Sequence, residues 1–115
     1  AISDALLGAA ALGDIGCFFP DDDKKYKNID STKILSEVLL KLDNLSYKLV
    51  NVDVTIVLEN PKLSSIIAEI RISVSKCLKL NLNRVNIKAT TTEKMGFVGK
   101  EEGIACYAVV LIEKI

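Results

Sequence analysis

Histidine is absent from this chain, and its three cysteines, Cys17, Cys77 and Cys106, stand far apart without a C-x-x-C pair. Their odd number and wide spacing argue against a disulfide framework and against a zinc ribbon. Apolar neighbours flank each of them, which reads as three reduced, packed thiols in a reducing compartment. An excess of either charge is also missing: Lys plus Arg and Asp plus Glu number 15 each. A polyanion binder needs a clear basic surplus, so no nucleic acid partner is expected. No apolar run approaches the roughly 18 residues that span a bilayer, so no membrane partner is expected either. Internal repeats and low-complexity tracts are lacking too. What is present is an ordinary globular balance, half apolar and about a quarter charged, in 115 residues that fit one domain.

The chain opens as Ala1-Ile2-Ser3-Asp4-Ala5-Leu6-Leu7-Gly8-Ala9-Ala10-Ala11-Leu12, a helical pattern already in progress with Leu6, Leu7, Ala10 and Ala11 on one stripe. No Met, cap or targeting segment precedes it, which predicts further residues upstream of Ala1. Gly13 is expected to end this helix. After a polar loop, Asp30 or Ser31 caps a second helix with Ile34, Leu35, Val38, Leu39 and Leu42 facing inward. Asn51 to Leu58 alternates as a half-buried strand, with Val52, Val54, Ile56 and Leu58 on one side. Glu59-Asn60-Pro61-Lys62 breaks it. A third helix should carry Leu63, Ile66, Ile67, Ile70, Val74 and Leu78 inward. Val85 to Ala89 and Gly103 to Ile112 read as two more strands. The last is apolar on both faces, so one face is expected to meet helices and the other a partner subunit. This order predicts an α+β fold, a sheet with helices packed on one face, of ferredoxin-like type.

Three polar clusters lie where elements end. Asp14-Ile15-Gly16, with Asp21, Asp22 and Asp23 a few residues on, offers carboxylates that bind sugar-like hydroxyls or a hard cation. The same residues also suit a solvated acidic turn, with Asp14 capping a short helix. Pro61-Lys62 follows a strand, where a Lys is either a phosphate partner or a plain surface residue. Lys88-Ala89-Thr90-Thr91-Thr92-Glu93-Lys94-Met95-Gly96-Phe97 gathers hydroxyls, backbone N–H groups and a carboxylate. Such a group binds phosphate oxygens and holds a divalent ion against them, or forms a capping box from Thr90 to Glu93.

Taken in order, these segments resemble the 2-C-methyl-D-erythritol 2,4-cyclodiphosphate synthase family of the non-mevalonate isoprenoid pathway. The resemblance rests on Ser3-Asp4-Ala5-Leu6-Leu7-Gly8-Ala9-Ala10-Ala11-Leu12-Gly13-Asp14-Ile15-Gly16 and on Phe19-Pro20-Asp21 with Asp23. It continues through Asn51-Val52-Asp53-Val54-Thr55-Ile56, Pro61-Lys62 and the threonine run, and closes with Gly96-Phe97 and Glu102-Gly103-Ile104-Ala105-Cys106.

The resemblance implies a lyase that forms the cyclic diphosphate and CMP from a cytidine diphosphate derivative, as a homotrimer with active sites between subunits. It implies zinc and magnesium or manganese as cofactors. Glu93 would ligate the magnesium or manganese, and Thr91 would stabilise the transition state. Leu58, Pro61, Lys62, Ser64, Thr90 and Thr92 would line the cytidine diphosphate pocket, with Phe97 beside it. Asp14, Ile15, Gly16, Phe19, Asp21 and Asp23 would border the methylerythritol pocket. The family's zinc ligands, an Asp-x-His and a later His, would all precede Ala1, so this stretch alone is not expected to turn over substrate. Lys100 stands where the family usually has Arg, which keeps the charge but loses bidentate geometry. Tyr107 stands where some members have Glu, so a prenyl diphosphate at the trimer axis is not assumed. Two rivals remain: a non-catalytic trimeric cytidine-nucleotide binder, and the C-terminal domain of a fused cytidylyltransferase. Frequent Lys, Asn and Ile point to an AT-rich genome, and with it to a plastid-type organelle ahead of bacterial cytoplasm.

Overall fold

The computed structural model describes residues 1–20, 24 and 29–115. Helix α1 (Ile2–Ala9) buries Leu6 and Leu7 completely. It stops before the expected Gly13. Ala11 adopts a left-handed φ of 57°, and the Leu12 N–H donates back to the Leu7 carbonyl at 2.8 Å, which closes the helix end by backbone bonding alone. Gly13, at φ 89°, then supplies the next turn. The short helix α2 (Ile15–Phe18) follows, capped by Asp14, whose Oδ1 accepts the Cys17 N–H at 3.1 Å. Helix α3 (Ser31–Asn44) turns Leu35, Val38 and Leu42 inward, as its spacing predicts.

Asp30 rather than Ser31 caps α3. Its Oδ1 accepts from the Thr32 N–H at 2.9 Å and from the Thr32 hydroxyl at 2.8 Å. The backbone bond, then the hydroxyl bond, holds this carboxyl below its ordinary value of 3.8. A depressed folded pKa stabilises the native state above the unfolded value, and the effect is lost as pH falls through the folded one. Asp30→Ala should therefore lower the melting temperature at neutral pH. Melting curves recorded down an acid series should show the gap from wild type narrowing below about pH 4; a constant gap would show that the charge is not involved.

Strand β1 (Tyr47–Val57) lies between β2 (Val85–Thr90) and β3 (Ala105–Lys114) in a three-stranded mixed sheet. It runs parallel to β2 and antiparallel to β3. Helix α4 (Ile67–Leu78) makes the crossover between the parallel strands. The strand begins four residues earlier than its alternation suggests. A bulge between Leu49 and Asn51 inserts Val50, so that Leu49 and Val52, three residues apart, both face the core. Arg84 Nη1 donates to the Val50 carbonyl at 3.2 Å. α4 begins later than expected: Leu63 lies in a turn that receives the Ile66 N–H, and Ile66 is 40% exposed.

The inner sheet face follows the register. Val52 pairs with Val85, and Val54 with Ile87, and these four pack with the buried residues of α1 and α3. Ala108, Val110 and Ile112 of β3 point the same way. The outer face is polar on two strands and apolar on the third. Asp53 Oδ2 meets Lys88 Nζ at 2.6 Å and its Oδ1 accepts from Asn86 at 3.0 Å. Tyr107, Val109 and Leu111 stand 64%, 71% and 55% exposed beside them. The cysteines depart from expectation: only Cys77 packs against the core, while Cys17 and Cys106 are exposed.

Candidate active site

Parallel strands β1 and β2 end side by side, and the Leu58 N–H donates to the Thr90 carbonyl at 3.0 Å beyond the last pair. Ligands of sheets with parallel strands gather outside such carboxyl ends, where two chain exits diverge and leave backbone groups free. A cleft of about 270 Å³ opens there, between the exit of β1, the approach to α4 and the exit of β2. Leu58, Pro61, Lys62, Ser64, Thr90 and Thr91 line it, together with Glu59, Leu63, Ile67 and Ala89. The Asn60–Pro61 peptide is cis. A larger depression of about 540 Å³, between the C-terminal ends of α3 and α4, is walled by Leu39, Leu42, Tyr47, Leu78 and Leu80. Ser36, Asp43, Lys48 and Lys79 also line it, but it lies away from the carboxyl ends of the parallel strands, so position and not size selects the smaller cleft.

The threonine run leaves β2 in a geometry that rules out the capping box. Glu93 and Lys94 both adopt left-handed backbone, with φ of 54° and 68°. Each such residue costs roughly 1–2 kcal/mol, and together they carry the chain out of any helical path. The helix α5 (Gly96–Gly99) starts only afterwards, without a side-chain cap. Thr91 Oγ1 accepts the Glu93 N–H at 3.2 Å, which leaves its own proton free to donate. Thr92 Oγ1 donates to the Met95 carbonyl at 2.6 Å. The Glu93 carboxylate is exposed and makes no hydrogen bond among the described residues.

Sequence reasoning took Glu59 as part of a strand break, and the resemblance implied only its backbone as pocket wall, so the role of its side chain was missed. Its carboxylate spans the loop, with Oε1 accepting the Lys94 N–H at 2.8 Å and Oε2 the Thr92 N–H at 3.3 Å. A carboxylate two residues before a proline, facing a hydroxyl-rich run, was the available signal. The neighbouring Asn60 donates to Glu101 Oε1 at 2.5 Å, tying the same exit to the segment after α5.

The other expected site residues do not line this cleft. Asp14 Oδ1 is engaged in capping α2, Ile15 packs against the core, and Gly16 lies exposed beside Asp14. Phe19 is 6% exposed and belongs to the core, so it can back a pocket without presenting its ring. Asp21 and Asp23 lie outside the described residues. Phe97 is 55% exposed on α5, and Lys100 is exposed just after it.

Fold and cleft together define an α+β domain with a cleft at the ends of two parallel strands, walled in part by Lys62, Ser64, Thr90 and Thr91. The YgbB family model matches residues 1–113. The 2-C-methyl-D-erythritol 2,4-cyclodiphosphate synthase of Idiomarina loihiensis is 53% identical over 113 residues, 98% of this chain and 71% of the relative. Among solved structures, the bifunctional IspDF of Campylobacter jejuni superposes with a TM-score of 0.93 at 39% identity, over 98% of this chain but 31% of that one. The CDP complex of Plasmodium falciparum IspF gives 0.85 at 30% identity, over 97% of this chain and 67% of that one. The chain belongs to the YgbB family, whose curated relatives are 2-C-methyl-D-erythritol 2,4-cyclodiphosphate synthases.

Proposed function

We propose that the cleft between the two strand exits holds the cytidine diphosphate part of a methylerythritol substrate, and that the protein forms the cyclic diphosphate from it. The observation that carries this reading is the meeting of Lys62, Thr90 and Thr91 in one cleft. In the reaction, an oxygen of the substrate's 2-phosphate attacks the β-phosphorus. The bond from that phosphorus to the bridging oxygen breaks, and CMP leaves with the electron pair. No protein nucleophile is required, so the residues act by position and charge. The free Thr91 proton donates to phosphate oxygens, and the Lys62 ammonium offsets their charge. Because the curated relatives are synthases, catalysis is favoured over a non-catalytic nucleotide binder.

Magnesium or manganese fits this chain, since such ions are held by one or two carboxylates plus substrate phosphates. Glu93, exposed beside the threonines, would be that carboxylate. The ion when bound would neutralise phosphate charge. Zinc does not fit the described residues: they contain no group of three or more His, Cys, Asp or Glu able to hold a metal.

The apolar outer face formed by Tyr107, Val109 and Leu111 would be covered by neighbouring copies in a homotrimer. Such an arrangement would let another subunit bring Asp14 and its neighbours, or Phe97 and Lys100, to the cleft. The bacterial sources of the curated relatives support a bacterial-cytoplasm type of setting ahead of a plastid-type organelle. Titration calorimetry with CDP and magnesium tests the site. Saturable binding is expected, weakened about tenfold by Lys62→Ala through loss of a charge-assisted contact. Absence of saturable binding, or full affinity in the variant, would overturn the assignment.

A further inference from the structure

We infer that Glu59 is a positioning residue, which sets the direction of the Glu93 carboxylate and of the Thr91 hydroxyl without touching the phosphates itself. The inference rests on the reading of Glu93, two residues beyond the cleft-lining Thr91, as the metal-binding carboxylate. Three observations carry it. First, the two amides that Glu59 binds, Thr92 N–H and Lys94 N–H, belong to the residues on either side of Glu93. One carboxylate therefore grips the backbone before and after the residue whose side chain must be aimed. Second, Glu93 and Lys94 are left-handed and neither is glycine, so the loop needs an outside partner to hold it in that shape. Third, the Glu93 N–H donates to Thr91 Oγ1, so the turn that Glu59 holds also fixes the Thr91 hydroxyl.

Without Glu59, the two amides would turn to water and the loop would relax towards ordinary right-handed backbone. The Glu93 carboxylate would then leave the place where the phosphates and their ion meet. Glu59 also lines the cleft, next to Pro61 and Lys62. It thus joins the wall expected to meet the nucleotide to the loop expected to meet the ion. Groups that orient a metal ligand are typically worth about 10- to 100-fold in metal affinity.

The test compares Glu59→Ala, Glu59→Gln and Glu93→Gln with the unaltered chain. Manganese binding is followed by electron paramagnetic resonance with saturating CDP, and amide hydrogen exchange is followed at Thr92 and Lys94. Glu59→Ala should expose both amides to exchange and weaken manganese binding about tenfold or more, and CDP binding without metal should fall as well, because the loosened loop carries Thr91. Glu59→Gln keeps one acceptor oxygen, so it should protect only one of the two amides and bind manganese with intermediate affinity. Wild-type manganese affinity in Glu59→Ala, with Glu93→Gln losing it, would overturn the role of Glu59 and leave the metal reading intact. Unchanged affinity in Glu93→Gln would overturn the metal reading, and the inference with it. Should Glu59→Ala melt the sheet, Glu59→Gln decides, and full manganese affinity with both amides open would refute the inference.

Discussion

Glu93→Ala is expected to abolish CMP release without changing the assembly state of the protein. A group that merely orients a metal ligand is worth up to about 100-fold, so the ligand itself should cost at least that much in turnover. The structure adds a reason to expect a clean loss. The Glu93 side chain is exposed and bonded to nothing among the described residues, so its removal leaves no buried group unpaired. Manganese affinity in the presence of CDP should fall in parallel, while the melting temperature stays close to wild type. Near-normal turnover at saturating magnesium would show that the carboxylate is not the ligand.

Gly99→Ala should disturb the same loop from the opposite side, through sterics instead of charge. A Cβ at Gly99 would lie 2.1 Å from the carbonyl carbon of Lys94 and 2.6 Å from its Cα and its oxygen. These are backbone atoms, so no rotamer change relieves the clash, and the left-handed segment at Glu93 and Lys94 must move. Overpacking of this kind costs roughly 1–3 kcal/mol, read as a fall of several degrees in melting temperature. CDP affinity should drop with it, because the displaced loop carries Thr91. Gly8→Ala is the internal control. A Cβ there meets nothing within 4 Å, and an alanine in a helix should stabilise by about 0.5–1 kcal/mol. Equal effects of the two substitutions would show that the close approach at Gly99 is not what shapes the loop.

Much of the scaffold was legible wherever one periodicity ran uninterrupted. The spacing of Leu35, Val38 and Leu42 placed α3, and the alternation of Val52 and Val54 placed most of β1. Local backbone events hid the rest. The bulge at Val50 breaks the alternation, so the first four residues of β1 could not be read as strand. Ala11 took the left-handed position that glycine usually occupies, which ended α1 ahead of Gly13. The resemblance implied Phe19 at the border of a pocket, and the fold buries the residue to 6% exposure.

The site divides along the same line. The residues of Pro61-Lys62 and Thr90-Thr91 could be nominated from the chain itself, because their chemistry is carried by side-chain type and by position after a strand. Which of them meet was decided by the parallel pairing of β1 with β2, a contact between segments more than thirty residues apart. The same long-range closure turned Glu59 from a strand breaker into the partner of two amides beyond Thr91, and replaced a capping box with a left-handed turn. Sequence alone thus determined the element types and the candidate phosphate-binding groups, since both follow from local pattern and chemistry. Tertiary structure decided how the groups are aimed, because direction depends on hydrogen bonds and close approaches between segments that no local pattern encodes.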